Sequence, residues 1–169
     1  MSPTSRVVVR HARTADVRAI RGLVDTYAPE RRLLSKATVA LYEDITEFLV
    51  ADLDGEVIGC GAVHVFWEDL AEVRTVAVNP AYVGTGIGRV LLTALLERAR
   101  ELGVAKVFCL TFETGFFGRH GFVEIEGTPV EHEVFEQLLR SYDEGVAECL
   151  DLERVKPNTL GNHRMLLVL

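Results

Sequence analysis

The 169-residue chain has no apolar run of the roughly 20 residues that a membrane-spanning helix requires, so no membrane partner is expected. Met1 to Arg13 alternates polar and basic residues around the single apolar run Val7-Val8-Val9. It lacks the apolar region of a secretory signal, and a cytoplasmic location is expected. Cysteine is scarce. Cys60, Cys109 and Cys149 are odd in number and widely spaced, which speaks against a disulfide framework and for buried free thiols. There is no His/Cys cluster at ligand spacing, so no metal is expected. Basic charge is in deficit, with 18 Lys and Arg against 25 Asp and Glu and a net charge of -7. Without a broad basic surface, nucleic acid is not an expected partner.

What remains is an ordinary soluble composition, 49% hydrophobic and 25% charged. The length suits one domain with one core, spanning residues 1–169, and leaves no room for a second regulatory domain. Repeats, linkers and low-complexity segments are absent from the sequence.

Arg6 to Arg10 reads as a first strand, and Thr14 is placed to cap a helix carrying Val17, Ile20, Leu23, Val24 and Tyr27 at helical spacing. Pro29 ends it, a basic irregular segment runs to Lys36, and Ala37, Leu41 and Ile45 suggest a short helix. The clearest hairpin joins Glu47–Leu53 to Glu56–Phe66 through Asp54-Gly55, a pair suited to a type I′ turn. Leu70–Val78 is a strand closed by Asn79-Pro80. A strong amphipathic helix then carries Ile87, Val90, Leu91, Ala94, Leu95, Ala99 and Leu102, with Gly103 as its C-cap. Ala105–Thr111 reads as a buried strand, Thr114–His120 as a short helix and Gly121–Glu126 as a strand. An amphipathic helix over Glu131–Tyr142 and a last strand over Arg164–Leu169 complete the chain. This order predicts a mixed α/β sheet with helices on both faces.

The most informative stretch is strand, then Tyr82-Val-Gly84-Thr-Gly86-Ile-Gly88, then helix. Glycines let the backbone turn its N–H groups inward, and a helix start adds partial positive charge, a combination that holds a phosphate. A glycine-rich turn without a ligand is the alternative. No Gly-Lys-Ser/Thr follows, since Arg89-Val90 comes after Gly88, which excludes a nucleoside-triphosphate loop. The spacing also departs from the dinucleotide fingerprint, which places two residues between its second and third glycines.

The loop resembles the coenzyme A loop of the GCN5-related N-acetyltransferase (GNAT) superfamily, written Gln/Arg-x-x-Gly-x-Gly/Ala. Gly86 and Gly88 fill the two glycine positions, while Val83 stands where the family most often has Arg or Gln. Leu70-Ala-Glu-Val-Arg-Thr-Val-Ala-Val-Asn-Pro80 resembles the family's fourth strand, and Phe116-Phe-Gly-Arg-His-Gly-Phe122 its closing helix-to-strand motif. The resemblance covers nearly the whole chain. It implies a twisted central sheet of about seven strands with strands 4 and 5 splayed, and acetyl-coenzyme A as cosubstrate. The cofactor would be held by Val83, Gly84, Thr85, Gly86, Ile87, Gly88 and Arg89, by the backbone of Val76, Ala77 and Val78, and by Phe117.

An amine attacks a thioester only when neutral, so a base and help for the departing thiolate are needed. Glu72 lies where the family often places a carboxylate that works through water; a strand-end Glu paired with Arg74 is the alternative. Where many relatives carry an acidic Tyr, this chain has Phe117, and Thr111 is the best-placed group to hydrogen-bond the sulfur, unless it is only a strand-end Thr. His64 and His120 are read as structural.

Leu110-Thr-Phe-Glu-Thr-Gly-Phe-Phe-Gly-Arg-His-Gly-Phe-Val-Glu124, with Phe48-Leu-Val-Ala and the final Gly161-Asn-His-Arg-Met-Leu-Leu-Val168, is similar to the acetyltransferase domain of the N-acetylglutamate synthase family. That implies a short stand-alone form acetylating the α-amine of glutamate or glutamine, the first step of arginine biosynthesis. The family's carboxylate-binding Arg falls on Gly161. Lys36, Arg74 and Arg164 are the candidate clamp, although each alone reads as a solvated charge. A cationic amine or protein N-terminus as acceptor, or a coenzyme A sensor without turnover, are the competing readings. A small-molecule amino acid is the expected partner, with a homodimer as a candidate assembly.

Overall fold

A computed structural model of the chain describes residues 3–27, 37–150 and 162–169. The basic segment up to Lys36, and Gly161, lie outside the described residues. The chain divides into two compact units, Met1–His64 with Val73–Leu102, and Val65–Glu72 with Gly103–Leu169. Among the described residues seven strands follow the hydrogen-bonded order β1-β2-β3-β4-β5-β7-β6, which makes the sheet mixed.

In the first unit a 3-10 turn, Pro3–Arg6, leads into β1 (Val7–His11). A second 3-10 turn at Thr14–Asp16 precedes α1 (Val17–Tyr27). The capping residue differs from the sequence expectation. The Asp16 carboxylate, not Thr14, reaches back to the Arg13 amide at 2.7 Å, and it also takes two bonds from the Arg10 guanidinium. A carboxylate that fixes the turn and an arginine together outcompetes a hydroxyl, because charge-assisted bonds are the stronger kind. The short α2 (Thr38–Glu43) follows.

β2 (Phe48–Leu53) and β3 (Glu56–Trp67) form the expected hairpin. Asp54 and Gly55 take φ of 52° and 92°, as a type I′ turn requires. β4 is Leu70–Val78 and α3 is Ile87–Leu102, both with the bounds read from the sequence. Strand alternation sends Phe48 and Val50 of β2 against Val17, Ile20, Leu23 and Val24 of α1. Ala51 and Leu53 pack with Ile87 and Leu91 of α3, so this unit carries helices on both faces. Leu91, Leu95 and Ile87 are fully buried, each contributing about 1.5–3 kcal/mol of burial.

Two glycines set how closely α3 approaches. A Cβ at Gly59 would lie 2.7 Å from Leu91 Cδ1, and one at Gly61 2.6 Å from Leu95 Cδ1.

The second unit is built on β5 (Lys106–Thr111), which pairs antiparallel with β7 (His163–Val168), itself paired with β6 (Val123–Ile125). α4 is Thr114–Arg119. The helix expected over Glu131–Tyr142 is shorter, α5 (His132–Leu138), and an unforeseen α6 (Glu144–Cys149) follows, capped by the Asp143 carboxylate on the Val146 amide. Leu138 of α5 and Val146 and Cys149 of α6 bury against Phe66, Leu70 and Phe108. β4 and β5 run parallel, but their pairing covers only Leu70–Glu72 against Lys106–Phe108, although β4 continues to Val78 and β5 to Thr111.

Candidate functional site

After β4, the Asn79 side chain accepts the Ala81 amide at 3.0 Å and starts a 3-10 turn over Pro80–Tyr82. The Tyr82 carbonyl takes both the amide and the hydroxyl of Thr85. Gly84 and Gly86 then adopt φ of 80° and 93°, in the left-handed region where a Cβ is unfavourable. α3 begins at once. The buried Ile87 side chain anchors its first turn in the core beside Ala51, Leu53 and Ile58, so Ile87 offers the site only backbone. The amides of Gly84 and Gly86 donate to no acceptor among the described residues. Val83, Gly84, Thr85, Gly86 and Arg89 are exposed, and Gly88 is half-buried. Exposed amides at the start of a 16-residue helix, with no acidic residue in its first turn, suit an anion.

The strand before the loop carries a feature not visible in the sequence. Thr75 is buried yet has φ of 56°, a left-handed residue inside β4. The Cys60 thiol donates to its carbonyl at 3.5 Å. Beyond it, Val76 lies under Gly61, Ala77 packs on the α1 side, and the Val78 carbonyl accepts the hydroxyl of Tyr27. All three cysteines are free and buried. Burial pushes the Cys60 thiol up to about 12, slightly offset by a backbone bond from Ala77. Burial, then the nearby charge of Glu72, pushes Cys109 up as well. These thiols stay protonated at neutral pH and are poor nucleophiles.

Glu72 is buried at 3% exposure, opposite Phe108 at the end of the β4–β5 pairing. Thr111 is buried too, and its hydroxyl accepts the Glu113 amide at 2.8 Å. A hydroxyl that accepts one bond keeps its proton for donation. Phe117 lies in an aromatic stack, edge-on to Phe116 at 5.1 Å and to Phe122 at 5.2 Å.

Lys36 lies outside the described residues, and Arg74, half-buried on β4, buries its Nη2. Arg164 Nη2 donates to the Cys149 carbonyl at 2.9 Å, capping the end of α6. In register, Arg164 faces Leu110 and His163 faces Thr111. Leu110 and Leu166 pack on the α5–α6 side, so alternation puts Arg164 there and Thr111 on the other face of the sheet.

Sequence reading missed His163, which shares Thr111's face and meets Glu124 Oε1 at 2.6 Å. Its signal was there, in the quoted Asn-His-Arg run, but only the β5–β7 register singles it out. His64 binds Glu47 through Nδ1 at 2.7 and 2.9 Å, the structural role expected of it. Among the described residues no group of three or more His, Cys, Asp or Glu could hold a metal ion, and no helix is long and apolar enough to cross a membrane.

Residues 17–122 match the model of the acetyltransferase (GNAT) family. An amino-acid acetyltransferase from Mycobacterium tuberculosis is 63% identical over 167 residues, 97% of this chain and 95% of that protein. A Mycobacterium tuberculosis crystal structure in complex with CoA and NLQ, also 63% identical, superposes with a TM-score of 0.91 over 96% of this chain and 99% of that one. N-acetylglutamate synthase from Neisseria gonorrhoeae, complexed with coenzyme A and N-acetyl-glutamate, is 24% identical with a TM-score of 0.77. It is covered over 96% of this chain and 35% of its own, a likeness of fold.

Proposed function

Because the chain belongs to the acetyltransferase (GNAT) family, we propose that it moves the acetyl group of acetyl-coenzyme A onto the α-amino group of L-glutamate or L-glutamine, the first step of arginine biosynthesis. The observation that carries this reading is the loop from Val83 to Arg89. Its two left-handed glycines and uncommitted amides sit at the start of α3, where backbone donors and helix charge suit a phosphate. An exposed loop in which a Cβ at Gly84 would meet nothing within 4 Å leaves room for such a group. The M. tuberculosis relative named an amino-acid acetyltransferase, together with the CoA-bound structure, supports an amino-acid acceptor.

The thioester supplies an activated acetyl; the amine nitrogen bonds to its carbonyl carbon, the carbon–sulfur bond breaks, and the amine's proton must leave. Glu72 takes that proton through water in this reading, its carboxylate shielded by burial. Thr111, on the face of β5 opposite that of Glu72's partner Phe108, keeps its hydroxyl proton for a hydrogen bond to the developing thiolate. Lys36 and Arg74 hold the acceptor's carboxylates. Arg164, with one nitrogen committed to the Cys149 carbonyl, is the weakest member of that set. The whole chain acts as one acetyltransferase domain.

Mass spectrometry of the products from acetyl-coenzyme A with glutamate, and separately with glutamine, tests the proposal. An Nα-acetyl product with at least one of them supports it. No thiol release above the acceptor-free background with either would overturn it.

A further inference from the structure

The N-terminal turn touches the loop. Thr4 Oγ1 donates to the Thr85 carbonyl at 2.6 Å across 81 residues of sequence. Its Oγ1 and Cγ2 stand 3.8 and 3.9 Å from where a Cβ at Gly86 would be. The turn is anchored at its C-terminal end: Arg6 pairs with Asp54 at 3.0 Å, and Val7 is in register with Leu53.

We infer that Thr4 is a positioning residue for cofactor binding: by holding the Thr85 carbonyl it fixes the direction of the Gly86 N–H. The inference rests on the loop being the coenzyme A phosphate site. A trans peptide is planar, so the Thr85 carbonyl and the Gly86 N–H point in opposite directions and turn together. On the Thr85 side the backbone is already tied, because the Thr85 amide and hydroxyl both go to the Tyr82 carbonyl. On the Gly86 side it is not. A residue without Cβ, at φ of 93°, accepts either orientation of the preceding peptide plane at little steric cost. One orientation turns the N–H to the exposed face; the flipped one turns a carbonyl there and repels a phosphate. Thr4 takes that carbonyl and holds the first orientation. The loop then binds without having to select one of two peptide states, a preorganisation that appears in affinity and not in the chemical step.

Calorimetry with coenzyme A and steady-state kinetics test this on the full chain. Thr4→Val keeps the side-chain shape and removes the donor, while Thr4→Ser keeps the donor. A single neutral hydrogen bond implies that Thr4→Val weakens coenzyme A by about three- to tenfold, with kcat at saturation within about twofold and Thr4→Ser near wild type. S-acetylpantetheine, which lacks the pyrophosphate, supplies the readout that general loosening would move: its kcat/KM with Thr4→Val stays within about twofold. Unchanged coenzyme A affinity in Thr4→Val, or an equal loss for coenzyme A and S-acetylpantetheine, overturns the inference. Gly86→Glu separates this from the loop reading itself. If a folded Gly86→Glu protein binds coenzyme A as wild type does, the loop is not the phosphate site; if it loses more than about tenfold and Thr4→Val loses nothing, only the role of Thr4 fails.

Discussion

The hydroxyl of Tyr27, the last residue of α1, donates to the carbonyl of Val78, the last residue of β4. The bond ties a helix end to the strand whose backbone from Val76 to Val78 the family resemblance gives as a cofactor contact, and which we propose as the track of the cofactor's pantetheine arm. Tyr27→Phe removes the tie without removing the ring. It is expected to cost about 0.5–1.5 kcal/mol in denaturant unfolding and to raise the KM for acetyl-coenzyme A more than that for the amino acid. Equal changes in both constants would count against the track.

Glu72 is buried at the last paired position of β4, where its charge acts on Cys109. Glu72→Gln keeps the volume and removes the base. Turnover is expected to fall by roughly 10²–10⁴-fold, with the KM for acetyl-coenzyme A little changed. The acid limb of the kcat/KM profile should change with it. An unchanged rate and profile would remove Glu72 from the chemistry.

The Asp16 carboxyl is held below the usual carboxylate range, chiefly by the Arg10 guanidinium at 2.8 and 3.0 Å and further by the Arg13 amide. Arg10 also binds Asp52 at 3.0 Å and lowers it in turn. A carboxyl with a depressed folded pKa adds stability above its unfolded value, near pH 4, and loses it as pH falls through the folded one. Asp16→Asn should therefore lower stability at pH 7 by about 1.5–3 kcal/mol and flatten the acid branch of the stability profile. Parallel wild-type and variant profiles down to pH 3 would contradict this.

Much of this architecture is legible where local chemistry dictates it. Asp54-Gly55 announces its turn because both positions need positive φ, and the stripe from Ile87 to Leu102 announces α3 because its period is helical. What escapes is set by contacts distant in sequence. Thr75 carries no mark of its left-handed φ, and Thr4 none of its bond to Thr85. α6 opens on Asp143 but has Gly145 in its first turn and little apolar repeat, so its stability comes from packing on Phe66 and Phe108. Charge, and the segments that the family resemblance brings near the acetyl group, nominate the candidate clamp. The β5–β7 register then separates Arg164 from Thr111, a distinction of one residue that a strand's period of two makes decisive.

The acceptor's chemistry tests the account most directly. The measurement is kcat/KM at saturating acetyl-coenzyme A for glutamate, glutamine, aspartate, lysine and spermidine, read as thiol release and corrected for the acceptor-free rate. A site that holds an α-amino acid through cations should favour glutamate or glutamine over lysine and spermidine by at least about tenfold, a difference of about 1.4 kcal/mol in transition-state binding. A preference for lysine or spermidine over both glutamate and glutamine would contradict it.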